Sequence, residues 1–421
     1  MRRVAFHAAV FAIAFWLVYL RRSDALRNPQ FYAEDGAVFY AGAYQYGLHS
    51  LVMPYGGYLH TLLRLVALVT LLFPFAWAPL IMTLIGITFQ VLPVNLFLSS
   101  RFSNIAFPTR LLGSFIYLAL PNAYEIQANI TNVQWHMALL ACLVVLAQPA
   151  TSKVWRAFDA IMLVLTSLST PMTLLLAPIA AYIWWKRRST GSAESFAFLV
   201  PGTMVEMIAI AANWHSRTFT HINAPGQGVP VGGPNGATLG RFFSIVGRQL
   251  FLSSLLGLKT QDWLLRLKSI HWIEIGATLI GLSLLLYALV HASTELKLFI
   301  LFALGILTLG LLHPVAGSPD RAQWDWMTDP GCGNRYYFFP MLAFLASLLW
   351  IAGRKASPPA LRSFAVVLLL MLPIGIHRDW RYPKFPNYHF RQYAEQFERA
   401  PSGTEITIPI YPEWSMKLTK H

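Results

Sequence analysis

The chain has 421 residues, of which 56% are hydrophobic and 12% charged, with a mean hydropathy of +0.50. Soluble domains carry about 25% charged residues, so an ordinary soluble enzyme is excluded. Lys and Arg number 32 against 18 Asp and Glu, a net charge of +14. The basic residues gather at the ends of apolar runs, which argues against nucleic acid and for membrane orientation beside anionic lipid head groups.

Several runs approach the roughly 20 apolar residues that cross a bilayer as helix, and none alternates as the strands of a membrane barrel do. The expected fold is all-α, a polytopic transmembrane helical bundle. Two cysteines, Cys142 and Cys332, exclude a disulfide framework and a cysteine-based metal cage. Met1–Leu20 carries Arg2 and Arg3 before an apolar run. Arg21 and Arg22 follow at once without a small-residue cleavage site, so it reads as a retained signal anchor.

After this first span comes a loop over 21–58, in which Ala37–Leu51 is expected as a short helix lying on the membrane. Leu59–Phe73 is short for a crossing and carries Arg64, so it reads as a surface or half-buried helix. Further spans are expected over 80–99, 107–120, 135–147, 157–168, 172–185 and 196–213. Arg241–Leu258 is moderately apolar and broken by Arg248, a span or a second surface helix. Spans at 273–290, 298–312, 337–352 and 363–376 complete about eleven. The organisation is a membrane module over 1–376 and a short polar tail over 377–421, with room for a helix and a strand pair.

Counting Lys and Arg in short loops orients the module. Loops 101–110, 153–156, 186–188 and 354–362 hold the basic clusters and go inside. The loops at 21–58, 122–133, 214–240 and 313–335, and the tail, then share the outer face. That face collects the polar groups that could do chemistry. Glu34-Asp35 in the first outer loop suits general-base work on a hydroxyl or amine, with its pKa tuned by burial and by the neighbouring acid. A solvated charge pair is the plain alternative. Phe31, Tyr32, Phe39, Tyr40, Tyr44 and Tyr46 around it could stack on a sugar, though an interfacial belt explains most of them.

Arg64 and Arg335 are candidates to hold a phosphate, with snorkelling at the interface as the alternative. Arg335 precedes the aromatic run from Tyr336. His60 lies four residues before Arg64, on the same face of a helix. Asn132, Gln134, Trp135 and His136 offer amides and an indole to sugar hydroxyls, or ordinary capping and belt roles. The 313–335 loop holds Asp320, Arg321, Asp325 and Asp329. Phosphate-cradling glycine loops, zinc-protease motifs and serine elbows are absent from the sequence, so nucleotide hydrolysis is not expected.

The arrangement resembles the glycosyltransferase C superfamily of polytopic membrane enzymes. The resemblance rests on Glu34-Asp35 directly after span one and on the segment Tyr58 to Arg64 with its His60. It rests further on the Ser169-Thr170-Pro171 break before a span ending at Arg188, and on Arg335-Tyr336 entering a late span. It is architectural and covers the membrane part. The doublet runs Glu-Asp, whereas protein O-mannosyltransferases and aminoarabinose transferases have Asp-Glu, which leaves either acid as the base. The large soluble C-terminal domain of several members is not matched.

The resemblance implies an inverting sugar transfer from a polyprenyl-phosphate donor to a cell-envelope glycan or lipid acceptor. It places the enzyme in the bacterial inner membrane with the site facing the periplasm. Asp35 or Glu34 would be the base. Tyr58, His60, Asn132, Gln134, Trp135, His136 and Tyr336 would help bind substrate. Arg64, Arg335 and Lys259 or Arg266 would hold the phosphate. The resemblance names no certain cofactor, and the doublet could hold a divalent metal ion. The competing readings are a flippase or transporter of lipid-linked sugars without chemistry, and an assembly partner in an envelope complex.

Overall fold

The computed structural model describes residues 2–213, 233–314 and 321–421, with the side chains of Arg2 and Arg3 left aside. The Gly/Pro-rich loop after His215 and Asp320 therefore lie outside the described residues in large part or whole. Each of the eleven apolar runs is a helix. Among the described residues, seven helices are long and apolar enough to cross a membrane, at Val4–Arg21, Phe75–Leu98, Thr190–Ala212, Ile270–His291, Thr294–Leu312, Asn334–Gly353 and Pro359–Asp379. The other four runs form Phe107–Ala119, Val133–Leu146, Lys153–Ser167 and Thr173–Arg187, of 13 to 15 residues. At about 1.5 Å per residue these fall short of a hydrocarbon core of ~30 Å. The eleven expected crossings thus correspond to seven long apolar helices and four shorter ones.

Local signals set several helix starts. Ser152, Ser189 and Ser293 accept the backbone N–H three residues on, which satisfies an orphan donor of the first turn. Pro79 and Pro108 sit in first turns, where a missing N–H costs nothing.

The chain forms two compact units. The first comprises Met1–Arg101, Ile126–Pro230 and Pro383–His421. Its core holds Phe31, Phe39, Tyr40, Leu63, Phe75 and Met137 together with Phe390, Phe397, Ile408 and Met416 of the tail. The tail helix Phe390–Arg399 buries Phe390, Ala394 and Phe397, the spacing of one helical face. The strands Glu405–Ile410 and Trp414–Thr419 pair antiparallel, Glu405 opposite Thr419 and Ile410 opposite Trp414, with Ile406, Ile408 and Ile410 turned inward.

Of the two helices expected in and after the first outer loop, one changes and one comes out half-buried as expected. The segment expected to lie on the membrane is a π-helical turn Asp35–Tyr40, an α-helix Ala41–Tyr46 and a 3-10 turn Gly47–Val52. Residues 35–43 are buried, because the tail and the Thr61–Thr70 helix cover them, and only the end, with Leu48 and Val52, is well exposed. The helix Thr61–Thr70 is half-buried, hiding Leu63, Arg64 and Ala67 and exposing Leu65 and Val69.

The second unit comprises Phe102–Glu125 and Val231–Tyr382. Here the Arg241–Leu258 run forms consecutive helical segments from Leu239 to Leu256, with a π-helical stretch Ser244–Leu252 whose residues 245–251 are buried. It is packed inside the unit and not laid on its surface. Its Arg248 is fully engaged: Nε donates to Glu274 at 2.8 Å, and the terminal nitrogens to Gln261 Oε1 and the Thr328 carbonyl at 3.0 and 2.7 Å. Gly247 allows this fit, since a Cβ there would stand 2.2 Å from the Glu274 carbonyl oxygen. In the 313–335 loop Arg321 pairs with Asp325 and Asp329, and Arg241 also reaches Asp325. This cluster is internally neutralised and structural.

Candidate active site

The acidic doublet sits in the first unit and its two carboxyls differ. The loop before it is pinned by the tail, with the Ala33 N–H donating to the Tyr411 carbonyl at 2.5 Å. Asp35 opens the π-helical turn and is 4% exposed. Its Oδ1 accepts the hydroxyl of Thr131. Burial raises the Asp35 pKa from 3.8 to about 8, helped by the charge of Glu34 and opposed by hydrogen bonds from the Thr131 hydroxyl and the Thr131 and Ile130 backbone. Glu34 is half-buried and accepts from the Tyr55 hydroxyl at 3.3 Å. Gly36 lets the chain close here, because a Cβ would lie 2.9 Å from Phe31 Cβ.

Across from the doublet runs the Tyr55–His60 turn. Tyr55 and Tyr58 exchange backbone hydrogen bonds, and positive φ at Gly56 and Gly57 makes so tight a reversal accessible. The Tyr58 ring stacks on His60 at 4.2 Å, and Phe39 and Tyr55 flank the same imidazole. His60 Nδ1 lies 3.2 Å from the Tyr58 carbonyl. A carbonyl only accepts, so Nδ1 carries the proton and Nε2 is the acceptor. Burial, then the Arg64 charge, lowers the His60 pKa to about 3, which keeps the ring neutral.

Three bonds tie the start of the Thr61–Thr70 helix to the Thr190–Ala212 helix and to the turn after Lys153–Ser167. Leu59 N–H donates to Glu206 Oε2 at 3.0 Å, Thr61 N–H to the Leu168 carbonyl at 3.1 Å, and Leu62 N–H to Ser169 Oγ at 3.0 Å. The Ser169-Thr170-Pro171 break thus caps this helix. One turn on, Arg64 is 0% exposed, and none of its three side-chain nitrogens has a hydrogen-bond partner among the described residues. Its guanidinium lies 5.6 Å over the Phe39 ring. Such depth rules out snorkelling, and burying an unpaired cation is costly.

The third wall is 126–136. Gln90 reaches from its helix to Gln127 and accepts the Ala128 N–H at 3.1 Å. Asn129 Oδ1 accepts from both the backbone and the side-chain nitrogen of Asn132, and His136 Nε2 lies 2.8 Å from the Ile126 carbonyl. These amides fold a buried loop that presents Thr131 to Asp35. Asn132 and His136 therefore act as loop clamps, and Trp135 is buried in the same wall. Gln134 joins the site directly, accepting from the Tyr58 hydroxyl at 3.1 Å.

The structure thus brings Glu34, Asp35, Tyr58, His60, Arg64 and Gln134 into one linked group. Arg335 and Tyr336 belong to the second unit, where Arg335 pairs with Glu125 and lies 5.1 Å over the Tyr336 ring. Lys259 and Arg266 are exposed there. Three residues the sequence reading passed over matter: Thr131, Tyr55 and Glu206. Thr131 and Tyr55 carry no sequence signal of their own. Glu206 does, as the one carboxylate within the apolar run 196–213. It is 0% exposed, and its Oε1 has no hydrogen-bond partner among the described residues.

Among the described residues no three His, Cys, Asp or Glu side chains come together to hold a metal ion, so the doublet offers a cation two carboxylates at most. Chemically, the group combines a carboxyl poised near neutral pH, a neutral imidazole, and a guanidinium suited to an anion. Compared with known proteins, the chain matches no protein-family model and no curated protein.

Proposed function

We propose that the chain is an integral membrane glycosyltransferase that moves a sugar from a polyprenyl-phosphate donor to a cell-envelope glycan or lipid, in the bacterial inner membrane with its site outward. One observation carries the reading. A buried carboxyl with a pKa near 8 opens the π-helical turn Asp35–Tyr40, and Phe39 of that same turn lies under the buried, unpaired guanidinium of Arg64. An acid–base group tuned near neutrality suits proton transfer, and an unpaired buried Arg suits an anionic phosphate.

Asp35 takes the proton of the acceptor hydroxyl. The hydroxyl oxygen forms its bond to the anomeric carbon as the bond from that carbon to the phosphate oxygen breaks. The electron pair leaves with the phosphate, whose charge Arg64 meets. Attack from the face opposite the leaving group inverts the anomeric centre. The phosphate leaves readily, so a second acid is not needed. Tyr58, Gln134 and His60 Nε2 supply donors and acceptors for sugar hydroxyls, and Glu34 at the rim reinforces the Asp35 pKa.

Glu206 favours a second reading, a flippase of lipid-linked sugars, because carboxylates buried within membrane helices mark transport paths. Purified protein in detergent separates the two. Label passing from a polyprenyl-phosphate sugar to an acceptor there, without any compartments, supports the transferase. Movement of lipid-linked sugar in vesicles with no transfer in detergent supports the flippase.

A further inference from the structure

The helix Pro359–Asp379 ends in a feature that sugar transfer does not use. Val367, Leu370 and Ile374 are 55, 68 and 45% exposed and recur at helical spacing along one face. Arg378, four residues after Ile374, continues that face and is exposed. The adjoining face is packed: Gly375 leaves room for the Leu255 carbonyl, and Asp379 is buried. The Asp379 carboxylate accepts the backbone N–H groups of Leu258 and Lys259 at 2.6 and 3.3 Å, and Arg378 donates to Thr260 Oγ1 at 2.8 Å. These bonds fix Lys259 beside Arg378 at the end of an apolar stripe.

Neither Arg378 nor Lys259 has a carboxylate partner among the described residues, and the Asp379 charge is taken up by backbone N–H groups. Arg266, Lys268 and Arg381 are exposed nearby in sequence, as are Trp263 and Trp272, against a single exposed acid, Asp262. Cations and indoles at the end of membrane helices match the head-group layer.

We propose that this end of the second unit is a binding site for an anionic membrane phospholipid. Arg378 and Lys259 hold its phosphodiester, and one acyl chain lies along Ile374, Leu370 and Val367. The charge excess selects the anionic lipid over a zwitterionic one, and the apolar stripe selects lipid over a free phosphate. The site is independent of Asp35 and of the proposed transfer.

The test is native mass spectrometry of the full chain released from nanodiscs of mixed phosphatidylglycerol and phosphatidylcholine. The wild type retains phosphatidylglycerol preferentially. Arg378→Gln with Lys259→Gln weakens its retention roughly thirty-fold, the weight of two basic groups at an anionic surface. Lys259→Gln alone removes no bond to a side chain and weakens it about five-fold. Thr260→Val frees Arg378 but leaves both charges, and keeps the lipid. Equal retention of the two lipids, a double variant that binds like wild type, or loss in Thr260→Val as large as in the double variant overturns the proposal. Retention of a polyprenyl phosphate but not of phosphatidylglycerol overturns it as well and assigns the site to the donor.

Discussion

At the residue scale, Asp35 and Arg64 are held in states that water would not favour. The Asp35 pKa stands at about 8 against an ordinary 3.8. Between those values the folded chain binds a proton the unfolded chain releases, so the Asp35 contribution to stability falls as pH rises through that window. As a base Asp35 works deprotonated, so the transfer rate rises with pH and levels off above about 8. The Thr131 hydroxyl lowers this pKa. Thr131→Val therefore moves the pH–rate midpoint upward, and Thr131→Ser restores it. A pH profile of transfer, or infrared titration of the Asp35 carboxyl, reads the shift. For Arg64 the prediction separates stability from function. Arg64→Leu removes an unpaired buried cation and leaves stability equal or higher by about 1–3 kcal/mol in denaturant unfolding, while binding of the phosphate-bearing donor is lost.

At the scale of elements, the site depends on a loop inside the bundle. Gly86 lies so near that a Cβ would stand 2.9 Å from the Asn129 carbonyl oxygen, and Gln90 supplies both an acceptor and a donor to the loop. Gln90→Leu leaves those buried groups unpaired and costs about 1–3 kcal/mol, and it loosens Thr131, so the pH–rate midpoint moves in the same direction as for Thr131→Val. Thermal unfolding and the pH profile check the two parts. Element identity was legible because apolar runs are local signals. The π-helical turn at Asp35 was not, since its register follows from packing on the tail and on the Thr61–Thr70 helix. The Gln90–Gln127 lock joins residues 37 apart, and the sequence shows two amides without showing that they meet.

At the scale of the molecule, the eleven apolar runs were readable, and so was the gathering of His60, Arg64 and the doublet. Which arginines would be paired was not. Arg335 and Arg64 look alike in sequence, at the ends of apolar segments. Arg335 meets Glu125 in the second unit, whereas the Arg64 side-chain nitrogens have no hydrogen-bond partner among the described residues. The tail looked like a polar appendage, but Phe390, Phe397 and Met416 close the core over the doublet loop. The basic-loop count makes a checkable claim of its own. With Cys142 and Cys332 replaced, Ser402→Cys is labelled by an impermeant thiol reagent from outside whole cells, and Thr151→Cys only after the membrane is opened.

The central claim is that Asp35 is the base of a sugar transfer from a lipid phosphate. The direct measurement is transfer of labelled sugar from a polyprenyl-phosphate donor by purified protein in detergent, wild type beside Asp35→Asn and Glu34→Gln, each folded and inserted normally. The account predicts a loss of at least ~100-fold for Asp35→Asn, a smaller loss for Glu34→Gln, and donor binding retained in both. Full transfer by both variants would contradict it.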